Sequence, residues 1–240
     1  RAAIGEMKSR GLSVVFYPFV MMDVPADNAL PDPWTGAASQ PAYPWRGRIT
    51  CTPAPGRPAS PDATAVAADQ GAAFFGTVSA GDYAVAGSEI SYFGPDEWSY
   101  SRLVLHSAAL CKAAGGVDAF IIGSELVGLT RVRSAAGVYP AVAKLVALAA
   151  QVRALLGPAV KIGYAADWTE YGAHVLDGGA EVRFPLDPLW ANPDIDFVGI
   201  DYYPPVADWR DGSDHLDAGD WPSGRDLDYL KAGFGAGEPY

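Results

Sequence analysis

Four short apolar segments rich in β-branched and aromatic residues recur along the chain, and each runs on into an acid: residues 12–20 before Asp23, 117–122 before Glu125, 160–164 before Asp167, and 195–200 before Asp201. Runs of this kind read as strands, the first of them buried on both faces. Helical signals lie between them. Pro61 and Asp62 after Ser60 predict a helix over about 60–78, and Pro95, Asp96 and Glu97 predict one running to 114, closed by Gly115 and Gly116. Tyr139 and Pro140 open a third, with Val142, Leu145, Val146, Ala149, Val152 and Leu156 on one face and Gly157 beyond its end. Strand and helix in alternation give a parallel sheet with right-handed crossovers. Two architectures fit, a doubly wound open sheet and a (β/α)8 barrel. The nucleotide-binding open sheet needs a glycine-rich turn directly after a strand, and the dense glycine run at 233–237 follows a helical segment instead. Acids gathered at strand ends are what a barrel rim collects. The expected fold is therefore an α/β (β/α)8 TIM barrel. Four strands are half of one, so residues 1–240 are expected to be a single domain truncated at both ends; residues 1–10 read as the tail of a helix closed by Gly11.

The formal charge is −11, made from 21 Asp and 7 Glu against 12 Arg and 5 Lys. Asp prefers turns, so much of this charge belongs in loops, as do many of the 27 Gly and 20 Pro. An acidic surface repels phosphate backbones, which argues against nucleic acid as a partner. No apolar run reaches the roughly 18 residues of a membrane span, and no signal peptide is visible. Cys51 and Cys111 lack metal-ligand spacing, and His106, His174 and His215 are isolated, so neither a metal nor a cofactor is expected. Metalloprotease, phosphate-loop and serine-hydrolase motifs do not occur. Asp208, Asp211, Asp214, Asp217 and Asp220 recur at every third position and read as a solvated loop.

Glu125 is the leading candidate for chemistry. It follows an apolar strand and a Gly-Ser pair, a setting in which apolar walls favour the neutral carboxyl that a general acid needs. The competing expectation is a structural pair with Arg131 or Arg133 in the next loop. Asp201 ends its own strand in the same way. Aromatic residues accompany these acids: Tyr17 and Phe19, Trp34 and Trp45, Trp168 and Tyr171, Tyr202 and Tyr203. A flat apolar face with a polar tip suits the faces and hydroxyls of a sugar ring. Tyr17, Trp45, Trp168, Asp201, Tyr202 and Tyr203 are the expected substrate contacts.

Phe16-Tyr17-Pro18-Phe19, Trp45-Arg46-Gly47-Arg48, Phe120-Ile121-Ile122-Gly123-Ser124-Glu125-Leu126, Ala166-Asp167-Trp168 and Gly199-Ile200-Asp201-Tyr202-Tyr203-Pro204 resemble the TIM-barrel-like domain of gene transfer agent and phage-tail host-specificity proteins. Their order is also similar to that of bacterial retaining β-mannanases. The resemblance implies that Glu125 is the acid/base and that the strands seen are about the third to the sixth. It places the nucleophile on a glutamate ending the seventh strand, past residue 240; Glu238, with no apolar strand before it, does not match. Where many relatives of the wider clan carry Asn before the acid/base, this chain has Ser124. The implied function is a glycoside hydrolase acting on cell-surface or cell-wall polysaccharide, alongside other tail proteins of a phage-tail-like particle made in the cytoplasm. A non-catalytic glycan-binding or structural tail domain is the alternative. A retaining cycle needs two carboxyls about 5–5.5 Å apart, so the chain by itself is expected to supply only the first.

Overall fold

The computed structural model describes residues 1–203, 206, 207 and 209–235. Contacts divide the chain into two units, residues 1–201 and 202–240. In chain order the first unit comprises α1 (Ala2–Ser9), β1 (Val15–Phe16), a 3-10 turn (Arg46–Arg48), α2 (Ala65–Phe75), β2 (Tyr83–Ala86), β3 (Glu89–Tyr92), α3 (Tyr100–Ala113), β4 (Ala119–Ser124), α4 (Val127–Thr130), α5 (Pro140–Leu156), β5 (Lys161–Asp167), α6 (Trp168–Tyr171), β6 (His174–Leu176), β7 (Glu181–Arg183), α7 (Asp187–Trp190) and β8 (Phe197–Asp201).

The apolar segments build one parallel sheet in the order β1-β4-β5-β8. Val15 pairs with Ala119, Phe120 with Ile162, and Asp167 with Asp201. Each strand lies beside the one before it in the sheet, with no reversal. That is the order of a barrel wall; a doubly wound sheet turns back at a switch point. β4 and β5 are the central pair, and Phe120, Ile122, Ile162 and Tyr164 are fully buried with Val104 and Leu105 of α3 and Leu145, Ala149 and Val152 of α5 in one core. The apolar stripe of α5 is the one its sequence spacing predicts, and Pro140 stands in its first turn.

Burial on both faces does not extend to the first strand. Val15 is 59% exposed, and in β8 Val198 and Ile200, which share one face of the strand, are exposed too; among the described residues these are the two edge strands of the sheet. β1 also stops at Phe16, well before Asp23, which lies exposed in the following loop. Pro18 accounts for this: it has no N–H to give a ladder, so an apolar run through it cannot continue as a paired strand.

Two helices start later than their acids suggest. α2 begins at Ala65 after Thr64, while Asp62 reaches away to accept from the Arg133 backbone N–H at 2.7 Å and from its guanidinium at 2.5 Å. α3 begins at Tyr100, capped by the Ser99 hydroxyl accepting from the Arg102 N–H. Glu97 is instead turned toward the preceding loop, taking bonds from Ser99 and from the Thr77 and Val78 N–H groups, which hold its carboxyl down at about 2. Both acids tie loops together rather than opening a helix. The β2–β3 hairpin, in which the Tyr83 and Tyr92 rings meet at 4.9 Å, and the β6–β7 hairpin are additions to the predicted elements.

The second unit contains α8 (Leu216–Asp220) and α9 (Leu227–Gly235). Tyr229 is buried beside Trp209 and Trp221 and donates to Asp217 at 2.6 Å. The acidic repeat is thus not wholly loop: Asp217 and Asp220 lie in α8, capped by His215, while Asp211 and Asp214 are exposed. Asp208 and Glu238 lie outside the described residues. Among the described residues no helix is long and apolar enough to cross a membrane.

Candidate functional site at the strand ends

Because the four strands are parallel, their C-terminal ends face one way and bring Tyr17, Ser124 and Glu125, Asp167 and Asp201 to the same edge. The turn after β4 is unusual. The β4–β5 register shifts between Ile121 and Ser124, and Glu125 takes φ 51°, a left-handed conformation that costs a non-glycine residue on the order of 1–3 kcal/mol. Its neighbours hold it there: the Glu125 N–H donates to the Ala165 carbonyl at 2.9 Å, and the Leu126 N–H to the Tyr164 hydroxyl at 3.0 Å. An irregularity of this kind re-aims a side chain out of the sheet pattern.

The loop after β1 supplies what Glu125 meets. Trp45 Nε1 donates to Glu125 Oε2 at 2.7 Å, and Arg46 Nη2 stands 2.7 Å from the same oxygen. No hydrogen-bond partner of Oε1 occurs among the described residues. Arg46 is buried and serves as a hub. Its Nε donates to Ser124 Oγ at 2.9 Å, its Nη2 to the Tyr17 hydroxyl at 3.1 Å, and that nitrogen lies 4.0 Å from Asp201 Oδ2. The guanidinium also rests 3.8 Å above the Phe19 ring. Two glycines permit this approach. A side chain on Gly128 would sit 2.5 Å from the Gly47 carbonyl, and one on Gly47 would strike the Trp45 ring.

The expected pairing of Glu125 with Arg131 or Arg133 is corrected: Arg133 binds Asp62, and Arg131 donates to the Thr169 and Ala173 carbonyls. Arg46 is the residue that sequence reasoning passed over as a partner. Burial pushes the Tyr17 hydroxyl up to about 12, so it keeps its proton. Asp201 is raised by desolvation and by the charge of Glu125, with Arg46 opposing. Of the expected contacts, Tyr17, Trp45 and Asp201 gather around Arg46 and Glu125, and Trp168 follows Asp167 at the same edge, half-exposed. Tyr202 and Tyr203 begin the second unit and are exposed there.

A cavity of about 510 Å³ lies beside Trp45, formed by segments that follow β1, β4 and β5; Trp34, Arg48, Val127, Arg131 and His174 line it with Trp45. Among the described residues no group of His, Cys, Asp and Glu could hold a metal ion.

Behind the rim, Glu170 is buried and accepts from Thr130 Oγ1 at 2.7 Å, the Tyr164 hydroxyl at 2.8 Å and the Asp167 N–H at 3.2 Å. Desolvation outweighs those bonds and pushes its carboxyl up to about 7, from an ordinary 4.5. The native chain therefore keeps a proton that the unfolded chain loses. The resulting stability is fully present below the unfolded value and is lost as pH rises through the folded one, by about 1.4 kcal/mol per pKa unit. The urea midpoint is expected to fall between about pH 5 and 7.5, and Glu170→Gln is expected to flatten that slope. A slope unchanged by the substitution would assign the proton elsewhere.

Sequential parallel strands with their polar groups gathered at the C-terminal ends define a TIM-barrel-like domain. The chain belongs to the gene transfer agent (GTA) TIM-barrel-like domain family, whose model matches residues 98–240, a span that includes Glu125, Asp167 and Asp201. No curated protein matches it.

Proposed function

We propose that the chain is a glycoside-hydrolase-like domain of a gene-transfer-agent or phage-tail tip protein. In this reading it acts at the cell surface on cell-surface or cell-wall polysaccharide, by acid/base catalysis with retention. Glu125 is the acid/base; Tyr17, Trp45, Trp168, Asp201, Tyr202 and Tyr203 contact the glycan. The observation that carries the reading is the presentation of Glu125: a strained turn aims it from the strand end, and both its donors sit on Oε2, which leaves Oε1 to meet a glycosidic oxygen. Tyr17 keeps a proton to give to a sugar hydroxyl or to the second carboxylate. The similarity in motif order to retaining β-mannanases supports the same roles and assigns the nucleophile to a later strand.

One observation favours the non-catalytic alternative. The Arg46–Glu125 pair is buried and joins the long loop to β4, as a purely structural bridge would. The two readings separate in one assay: release of reducing ends from host surface polysaccharide by the full-length protein and by its Glu125→Gln variant. Release by the wild type alone supports catalysis. Equal release by both overturns the role of Glu125, and binding without release by either selects the glycan-binding alternative.

A further inference from the structure

The cavity beside Trp45 has a charge pattern opposite to that of the whole chain. The protein carries −11, yet among the described residues no Asp or Glu lines this cavity, while Arg48, Arg131 and His174 do. Arg48 is neutralised by Asp32 at 3.0 Å. Arg131 has no carboxylate within ion-pair distance among the described residues. Its Nη2 is anchored on the carbonyls of Thr169 at 2.6 Å and Ala173 at 3.3 Å, its Nε is buried without a partner, and no partner of Nη1 occurs among the described residues. The guanidinium is thus fixed in place with its charge unanswered. Its field reaches His174, whose pKa is lowered by burial and by Arg131 and Arg133.

The walls suit a ring. Trp34 Nε1 is tied to the Arg48 carbonyl at 2.8 Å and Trp45 Nε1 to Glu125, so the polar edges of both indoles are occupied and ring carbon is left to line the cavity. Trp45 borders both places, with its N–H on Glu125 and its ring on the cavity. A glycan with one residue at Glu125 would put a neighbouring residue there. A neutral sugar could offer this guanidinium only hydroxyl hydrogen bonds, whereas a carboxylate would also answer its charge, through Nη1, since Nη2 is already engaged.

We propose that this cavity is a subsite for a carboxylate-bearing sugar, a uronic acid unit of the glycan, with Arg131 as its counter-ion. The proposal rests on the glycan-directed reading of the domain and names the class of glycan. The probes are a panel of oligouronates differing in sugar and linkage, each beside its carboxyl-reduced, neutral counterpart, titrated by tryptophan fluorescence or calorimetry. At least one oligouronate is expected to bind the wild-type protein and to lose about tenfold or more in affinity on carboxyl reduction, the effect of one lost charge-assisted pair. Arg131→Gln is expected to erase that preference and to leave the neutral counterparts unaffected. The carboxyl-reduction arm needs only the wild-type protein, so it stands even if Arg131→Gln disturbs the loop that Arg131 anchors. Neutral counterparts binding as tightly as the acids, a preference that survives in folded Arg131→Gln, or binding of no oligouronate would each overturn the proposal. Oligouronate binding that depends on Arg131 without any hydrolysis would support the subsite and count against the catalytic role of Glu125. Hydrolysis with no preference for acidic sugars would do the reverse.

Discussion

Glu125→Gln in the full-length protein is expected to lower turnover on the order of 10²-fold or more, the usual size of a lost general acid/base. The amide keeps the shape, and its oxygen can accept from both Trp45 Nε1 and Arg46 Nη2, so the local architecture should persist. What changes is the second position. An NH₂ replaces Oε1 and can neither protonate a leaving oxygen nor take a proton from water. Arg46 still has Ser124, Tyr17, the Phe19 ring and, at 4.0 Å, Asp201, so the fold should survive the lost charge. The deficit should fall on kcat with little change in KM, as for an interaction made only in the transition state. Unchanged hydrolysis by a folded variant would reject the assignment.

Arg46→Met is expected to be the most destabilising single change at the rim, by about 3–5 kcal/mol, because it leaves a buried carboxylate without its counter-charge. Glu125 is 4% exposed and would retain one donor, Trp45 Nε1. Asp201, already raised by the charge of Glu125, would lose the cation that moderates that repulsion. The loss is read as a shift in the urea midpoint at neutral pH, and it should shrink in acid, where Asp201, whose carboxyl is already raised, takes up its proton and its repulsion with Glu125 is relieved. A midpoint within experimental error of the wild type would mean that Arg46 is not the hub described above.

The central strands, α5 and the strand-end setting of Glu125 were legible because their signals are local: an apolar run, a helical period, a proline at the start and a glycine past the end. The first strand is shorter than its apolar run, which continues through Pro18 where strand pairing cannot. Asp62 and Glu97 carried a correct preference for helix starts, but the structure used them for bonds to distant loops. Arg46 could not be placed from sequence, because its contact with Glu125 is made across a long loop without regular periodicity. Trp45-Arg46-Gly47-Arg48 marked the segment without revealing its partner. Glu170 left a usable trace: Asp167 and Glu170 stand at capping-box spacing directly after a strand, and the structure forms that box. Its burial under Thr130 and Tyr164 is a tertiary fact that spacing alone does not give.

The central claim, that Glu125 is presented to a glycosidic bond, is tested most directly by a structure of the full-length domain with an unhydrolysed oligosaccharide bound to the Glu125→Gln variant. The account predicts a glycosidic oxygen about 2.6–3.2 Å from the side-chain atom in the Oε1 position, with Trp45 against an adjoining sugar ring. A glycan seated away from residue 125, or one whose ring hydroxyls alone reach it, would contradict the claim.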